Sequence, residues 1–122
     1  MSSRLTSITI NTAHLDEMLQ FYRIIGVDFV STNVDKGSKV FRAKLGETEF
    51  SLISVPVAEK LKSPGLQLSF AVERLDEMAK LLAQVPKAML MMEPSEMPDG
   101  KKAILLDPEG RAVELAEIKN RG

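Results

Sequence analysis

Glu114 is the side chain of this 122-residue chain whose surroundings most favour chemistry. It stands in Ala112-Val113-Glu114-Leu115-Ala116. A β-strand there puts Glu114 on one face with Ala112 and Ala116, and Val113 and Leu115 on the other. Small neighbours leave room beside the carboxylate, which can then anchor a ligand or act as a general base. The plainer alternative is a solvated strand residue, or one paired with Arg42 or Lys44 from another strand. Other reactive types are scarce. The chain has one histidine, His14, and no cysteine, which excludes disulfides, thiolate nucleophiles and thiolate metal sites. His14 falls where a helix should begin, and junction positions of that kind serve local structure more often than catalysis. A Ser-His-Asp arrangement would have to use it, and neither a Gly-x-Ser-x-Gly elbow nor a Gly-rich phosphate loop occurs.

The elements that must carry these residues repeat. Leu15-Asp16-Glu17-Met18 recurs as Leu75-Asp76-Glu77-Met78. The same offset carries Ser7 onto Gln67, Ile8 onto Leu68, Ile10 onto Phe70 and Thr12 onto Val72. Further on, Phe50-Ser51-Leu52 lies over Val113-Glu114-Leu115, so Ser51 is the counterpart of Glu114. A tetrapeptide alone could match by chance, but not with the same strand pattern in the same register.

In each copy a strand of alternating apolar residues leads into a helix. The first helix is expected over His14–Ile25, with Leu15, Met18, Leu19 and Tyr22 on one face, Asp16 and Glu17 in the first turn, and Gly26 as a C-terminal stop. The second is expected over Leu75–Gln84, with Leu75, Met78, Leu81 and Leu82 inward and Pro86 ending it. Three strands should follow each helix: Asp28–Thr32, Val40–Leu45 and Glu49–Val55, then Ala88–Met92, Lys102–Leu106 and Ala112–Ile118. Turn residues at Lys36-Gly37-Ser38, Gly46-Glu47, Pro98-Asp99-Gly100 and Asp107-Pro108-Glu109-Gly110 separate them. Between the copies, Pro56 to Gly65 reads as a linker. Glu93 to Gly100 reads as a mobile loop with Met97 at its apolar tip.

Composition narrows the function classes. A formal net charge of −1 gives no clustered basic surface for nucleic acid or an anionic membrane. No apolar run approaches a membrane span or a signal segment, which leaves the cytoplasm as the expected compartment. Four of the seven methionines crowd into Met89, Met91, Met92 and Met97. Most methionines are expected to fill the core, although those alternating with Leu90 cannot all face inward.

Two βαβββ modules resemble the vicinal oxygen chelate superfamily of glyoxalases, bleomycin resistance proteins and dioxygenases. So do Leu19-Gln20-Phe21-Tyr22 before Gly26 and Asp107-Pro108-Glu109-Gly110 before Val113-Glu114-Leu115. The resemblance runs from Leu5 to Ile118. It implies an α+β fold in which two tandem modules form curved mixed sheets around a cavity, with the helices outside. The whole of 1–122 is then a single glyoxalase-like domain, with repeat one about 5–55, the linker 56–65 and repeat two about 66–118. It also implies a homodimer. Alternation on the first strand of each module would by itself point Ser7, Thr9, Asn11 and Ser69 at water; the resemblance makes theirs the cavity side.

The superfamily's enzymes commonly hold a divalent metal, and the resemblance puts the ligand positions at Ser7, Ser51, Gln67 and Glu114. Such cations need several nitrogen or oxygen donors. Here Glu114 is the one strong ligand and Gln67 a weak one. The expectation is therefore a metal-free binder of a small apolar or amphipathic molecule, without cofactor. Ser7, Thr9, Asn11, Ser51, Gln67, Ser69, Glu114 and Met97 would meet the ligand. One alternative is a glyoxalase-like lyase or dioxygenase-like enzyme using Gln67 and Glu114 as a partial metal site, with Glu114 the best catalytic candidate. The other is a structural or interaction subunit with a vestigial cavity.

Overall fold

A computed structural model describes residues 5–32, 39–55 and 66–118. The expected linker and the Lys36-Gly37-Ser38 turn lie outside them. The chain divides into two compact units, Met1–Leu61 and Lys62–Gly122.

The first unit runs β1 (Ser7–Thr12), α1 (Leu15–Ile25), β2 (Val30–Ser31), β3 (Val40–Leu45) and β4 (Thr48–Ser54). Its sheet has the order β1-β4-β3-β2, with β1 parallel to β4 and the other pairs antiparallel. The second unit repeats this with β5 (Leu68–Val72), α2 (Leu75–Ala83), β6 (Met89–Met97), β7 (Gly100–Leu106) and β8 (Ala112–Glu117), in the order β5-β8-β7-β6. Again the first and last strands of the module pair in parallel. The expected strand-helix-strand-strand-strand order holds in both units.

Helix α1 follows its amphipathic pattern. Met18, Leu19, Phe21 and Tyr22 are buried, and Tyr22 meets the Phe50 ring at 5.2 Å between centroids. Phe50 belongs to the face of β4 that also carries Leu52, with Ile10 and Ala43 beside them on β1 and β3, all buried. Gly26 closes the helix at φ 113°, a conformation costly for any residue with a Cβ, and the Val27 amide donates back to the Tyr22 carbonyl at 3.0 Å. In the second unit Leu75, Ala79 and Leu82 are the buried residues of α2, and Leu68, Ala103, Leu105, Val113 and Leu115 are buried on the sheet.

Three expectations are corrected. Leu81 does not face inward: it is 53% exposed, and Ala79, one turn after Leu75, takes the buried place. The second strand is only Val30–Ser31 rather than Asp28–Thr32. Glu93–Gly100 is not a loop. Strand β6 continues through Glu93-Pro94-Ser95-Glu96 to Met97, and the turn to β7 is confined to Pro98-Asp99. Pro94 is tolerated because β6 is an edge strand whose pairing with β7 shifts register between Leu90 and Met92 and again between Met92 and Ser95.

The turn from β7 to β8 is fixed by a buried acid. Asp107 is fully buried, and its Oδ1 accepts from the amides of Glu109 (2.8 Å) and Arg111 (3.0 Å). Its Oδ2 accepts from Arg111 Nη1 at 3.0 Å, and Arg111 is itself 5% exposed. Gly110 sits in this turn at φ 84°. Among the described residues no helix is long and apolar enough to cross a membrane.

Candidate functional site

Alternation and register sort each sheet into a helix-covered apolar face and an opposite face. In the first unit the opposite face carries Ser7, Thr9 and Asn11 from β1, Glu49 and Ser51 from β4, and Arg42 and Lys44 from β3. Ser7, Thr9 and Asn11 are exposed, whereas Ser51 is 6% exposed. The register places Thr9, Ser51, Arg42 and Val30 in one row across all four strands. Ser7 is beside Glu49, two residues out of step with Ser51. Arg42 Nε lies 3.4 Å from Glu49 Oε1, so the guanidinium has its carboxylate within this sheet. Arg42, Lys44 and Glu49, with Asp28, Val30 and Ala43, also line an open pocket of about 430 Å³.

The second unit gives the corresponding row as Ser69, Glu114, Ile104 and Met92. Glu114 is half-buried and Ser69 exposed. The rows on either side are Ala112, Leu106 and Met89, and then Ala71, Ala116, Lys102 and Ser95. Glu114 is therefore a single carboxylate on a floor of alanines and aliphatic side chains. Gln67 precedes β5 and is exposed, and Ser69 rather than Gln67 stands beside Glu114. The diagonal cation on this face is Lys102. Its Nζ donates to Asp99 Oδ2 at 2.7 Å, which holds the ammonium above the usual lysine range, with the charge of Glu114 adding to the effect. Among the described residues Glu114 has no hydrogen bond or ion pair of its own.

Met97 ends β6 at 41% exposure, facing Gly100 across the turn. Met89 and Met91 are 55% and 57% exposed and Met92 is half-buried, so core filling describes Met18 and not this cluster. His14 is the N-cap of α1 and makes no side-chain capping bond, while its amide donates to Thr12 Oγ1 at 2.9 Å. Helix α2 has Arg74 at its N-cap, again without a side-chain bond, and receives its acceptor from far along the chain: the Leu75 amide donates to Glu117 Oε2 at 3.0 Å. Glu117 lies inside the strand expected over Ala112–Ile118, yet sequence reasoning gave it no role. Strand parity alone, with Val113, Leu115 and Glu117 on one face, could have found it. The same parity on β7 picks out Ile104 and Lys102 as neighbours of Glu114.

Among the described residues no three His, Asp or Glu side chains group as ligands. The row beside Glu114 offers one hydroxyl, and then the aliphatic Ile104 and the thioether of Met92. Divalent cations require several hard or borderline donors at once.

Residues 4–54 match the model of the Bd2520-like N-terminal family, described as lactoylglutathione lyase-like. Solved structures align with most of the chain's length. A glyoxalase/bleomycin resistance protein/dioxygenase family enzyme from Burkholderia phytofirmans PsJN aligns with TM-score 0.71 at 18% identity, over 96% of this chain and 100% of that one. The chain has the vicinal oxygen chelate fold. A glyoxalase-related enzyme from Fulvimarina pelagi gives TM-score 0.71 at 19% identity, over 96% of this chain and 89% of that one. A glyoxalase I mutant from Zea mays gives 0.72 at 16% identity, over 91% of this chain and 45% of that longer one. No curated protein matches the sequence. At these identities the vicinal oxygen chelate likeness is one of fold, so function has to be argued from the two faces.

Proposed function

We propose that this chain is a metal-independent small-molecule binding protein of the glyoxalase and bleomycin-resistance type. One observation carries the reading: the position occupied by Glu114 has no second strong metal donor in its row, yet it sits on small and apolar neighbours that leave surface for an organic ligand. On the second unit Ser69 and Gln67 are the polar anchors that go with it, with Met97 the apolar side chain at the strand end; on the first unit Ser7, Thr9, Asn11 and Ser51 are the polar anchors of its own sheet face. Pairing as a homodimer belongs to the same reading.

Elemental analysis of the purified protein, followed by titration with manganese, nickel, zinc and ferrous iron, tests it. The expected result is no stoichiometric metal, together with a thermal shift from amphipathic small molecules. Stoichiometric uptake that disappears in Glu114→Gln would replace this reading with the enzyme one. Sedimentation of the same sample at several concentrations tests the dimer.

A further inference from the structure

The second sheet's free face holds charges of both signs, but they are not equally available. Lys102 is already donated to Asp99 at 2.7 Å, although register places it diagonal to Glu114 on the same face. Glu114 has no such partner among the described residues. It is half-buried, so part of its hydration is already removed, and its neighbours along β8 are Ala112 and Ala116. Across the sheet its row continues into Ile104 and Met92, and the adjacent row into Leu106 and Met89. A partly desolvated carboxylate surrounded by hydrocarbon gains most from a charge-assisted donor that brings apolar surface with it.

We infer that the ligand of this face is a small organic cation: a protonated amine donating to the Glu114 carboxylate, with an apolar body lying over Ala112, Ala116, Ile104 and Leu106. The inference rests on the small-molecule reading above and adds the ligand's class. Ser69, next to Glu114 in the row, offers the amine a second acceptor. The alanines keep the floor low enough for a ring or a short chain to lie flat, and the flexible thioethers of Met89 and Met92 close the far edge by adapting to its shape. Lys102, bonded to Asp99 nearby, disfavours a second positive charge at the Ala116 end. The class is therefore a monoamine with its charge at one end rather than a diamine.

The test is a matched series with one apolar body: phenethylamine, 2-phenylethanol and phenylacetate, titrated calorimetrically into the intact protein. Expected is binding in which the amine exceeds the alcohol by roughly tenfold, the scale of one charge-assisted hydrogen bond. That preference should vanish in Glu114→Gln. As a second readout independent of any variant, added salt should weaken the amine and leave the alcohol alone. If the alcohol or the acid binds as well as the amine, the cation assignment is overturned and the small-molecule reading stands. If the amine preference survives in Glu114→Gln, the cation is read elsewhere and the inference also fails. If no member of the series binds, the inference fails as well; the metal titration and the wider small-molecule screen then decide the parent reading separately.

Discussion

Two acids of the second unit, Glu114 and Asp107, have opposite roles that follow from what surrounds each. Glu114 is half-buried and, among the described residues, makes no hydrogen bond or ion pair, so replacing it removes little that holds the fold together. Glu114→Ala should leave the melting temperature within about a degree or two of the parent, since surface changes of this kind are usually within about 0.5 kcal/mol, while weakening ligand binding. Failure of that variant to fold would make Glu114 structural and remove it from the site. Asp107 is fully buried, accepts two backbone amides and pairs with a buried arginine. Asp107→Ala strands the Arg111 charge and two donors and should cost about 3 kcal/mol or more in urea unfolding. Glu114 was legible in the sequence because alternation fixes its face and its alanine neighbours. Asp107 was legible only as a turn residue. That it would be buried depends on a guanidinium four positions later folding back onto it, and local propensity says nothing of that.

At the level of elements, the two copies of one helix text end up held by different means. Their shared Leu-Asp-Glu-Met predicts the same first turn, and both helices form where expected. The first has Thr12 accepting from the His14 amide at its entry, whereas the second borrows Glu117 from β8. Glu117→Ala should therefore loosen the start of α2 specifically, by about 1 kcal/mol, visible as faster amide exchange at Leu75 with α1 unaffected. Gly110 makes a second test. At φ 84°, with open space where a Cβ would stand, substitution is penalised by backbone conformation rather than by collision. Gly110→Val should cost about 2 kcal/mol in chemical unfolding, and Gly110→Asn clearly less. Unchanged stability in the valine variant would contradict the turn geometry. Strand order and helix faces were readable because periodicities of 2 and 3.6 are local. The extension of β6 through Pro94 was not, since a proline after five strand residues reads as a stop unless the edge position is known.

For the molecule as a whole, the alkaline limit of stability has identifiable contributors. Hydrogen bonds to Asp76 and Asp99 hold Lys101 and Lys102 above the ordinary lysine value of 10.5. Groups raised in this way contribute fully at pH below that value, and the contribution fades as pH climbs through their raised range. Melting temperatures taken from pH 8 to pH 11.5 should fall more steeply for the parent than for Lys101→Met, because the variant has no proton to lose there; parallel curves would show that the Asp76 contact is not maintained in solution. The repeated architecture also sets the order in which the chain can be made. In both units the opening strand is hydrogen-bonded along its length to the closing one, so β1 waits for β4 and β5 waits for β8. On a translating ribosome neither module can complete its sheet until its last strand leaves the exit tunnel, so the second stays open until β8 emerges. Nonsense truncation just before Ala112 would thus remove not a frayed end but the strand between β5 and β7, and should send the nascent protein to quality control rather than to a shorter working form.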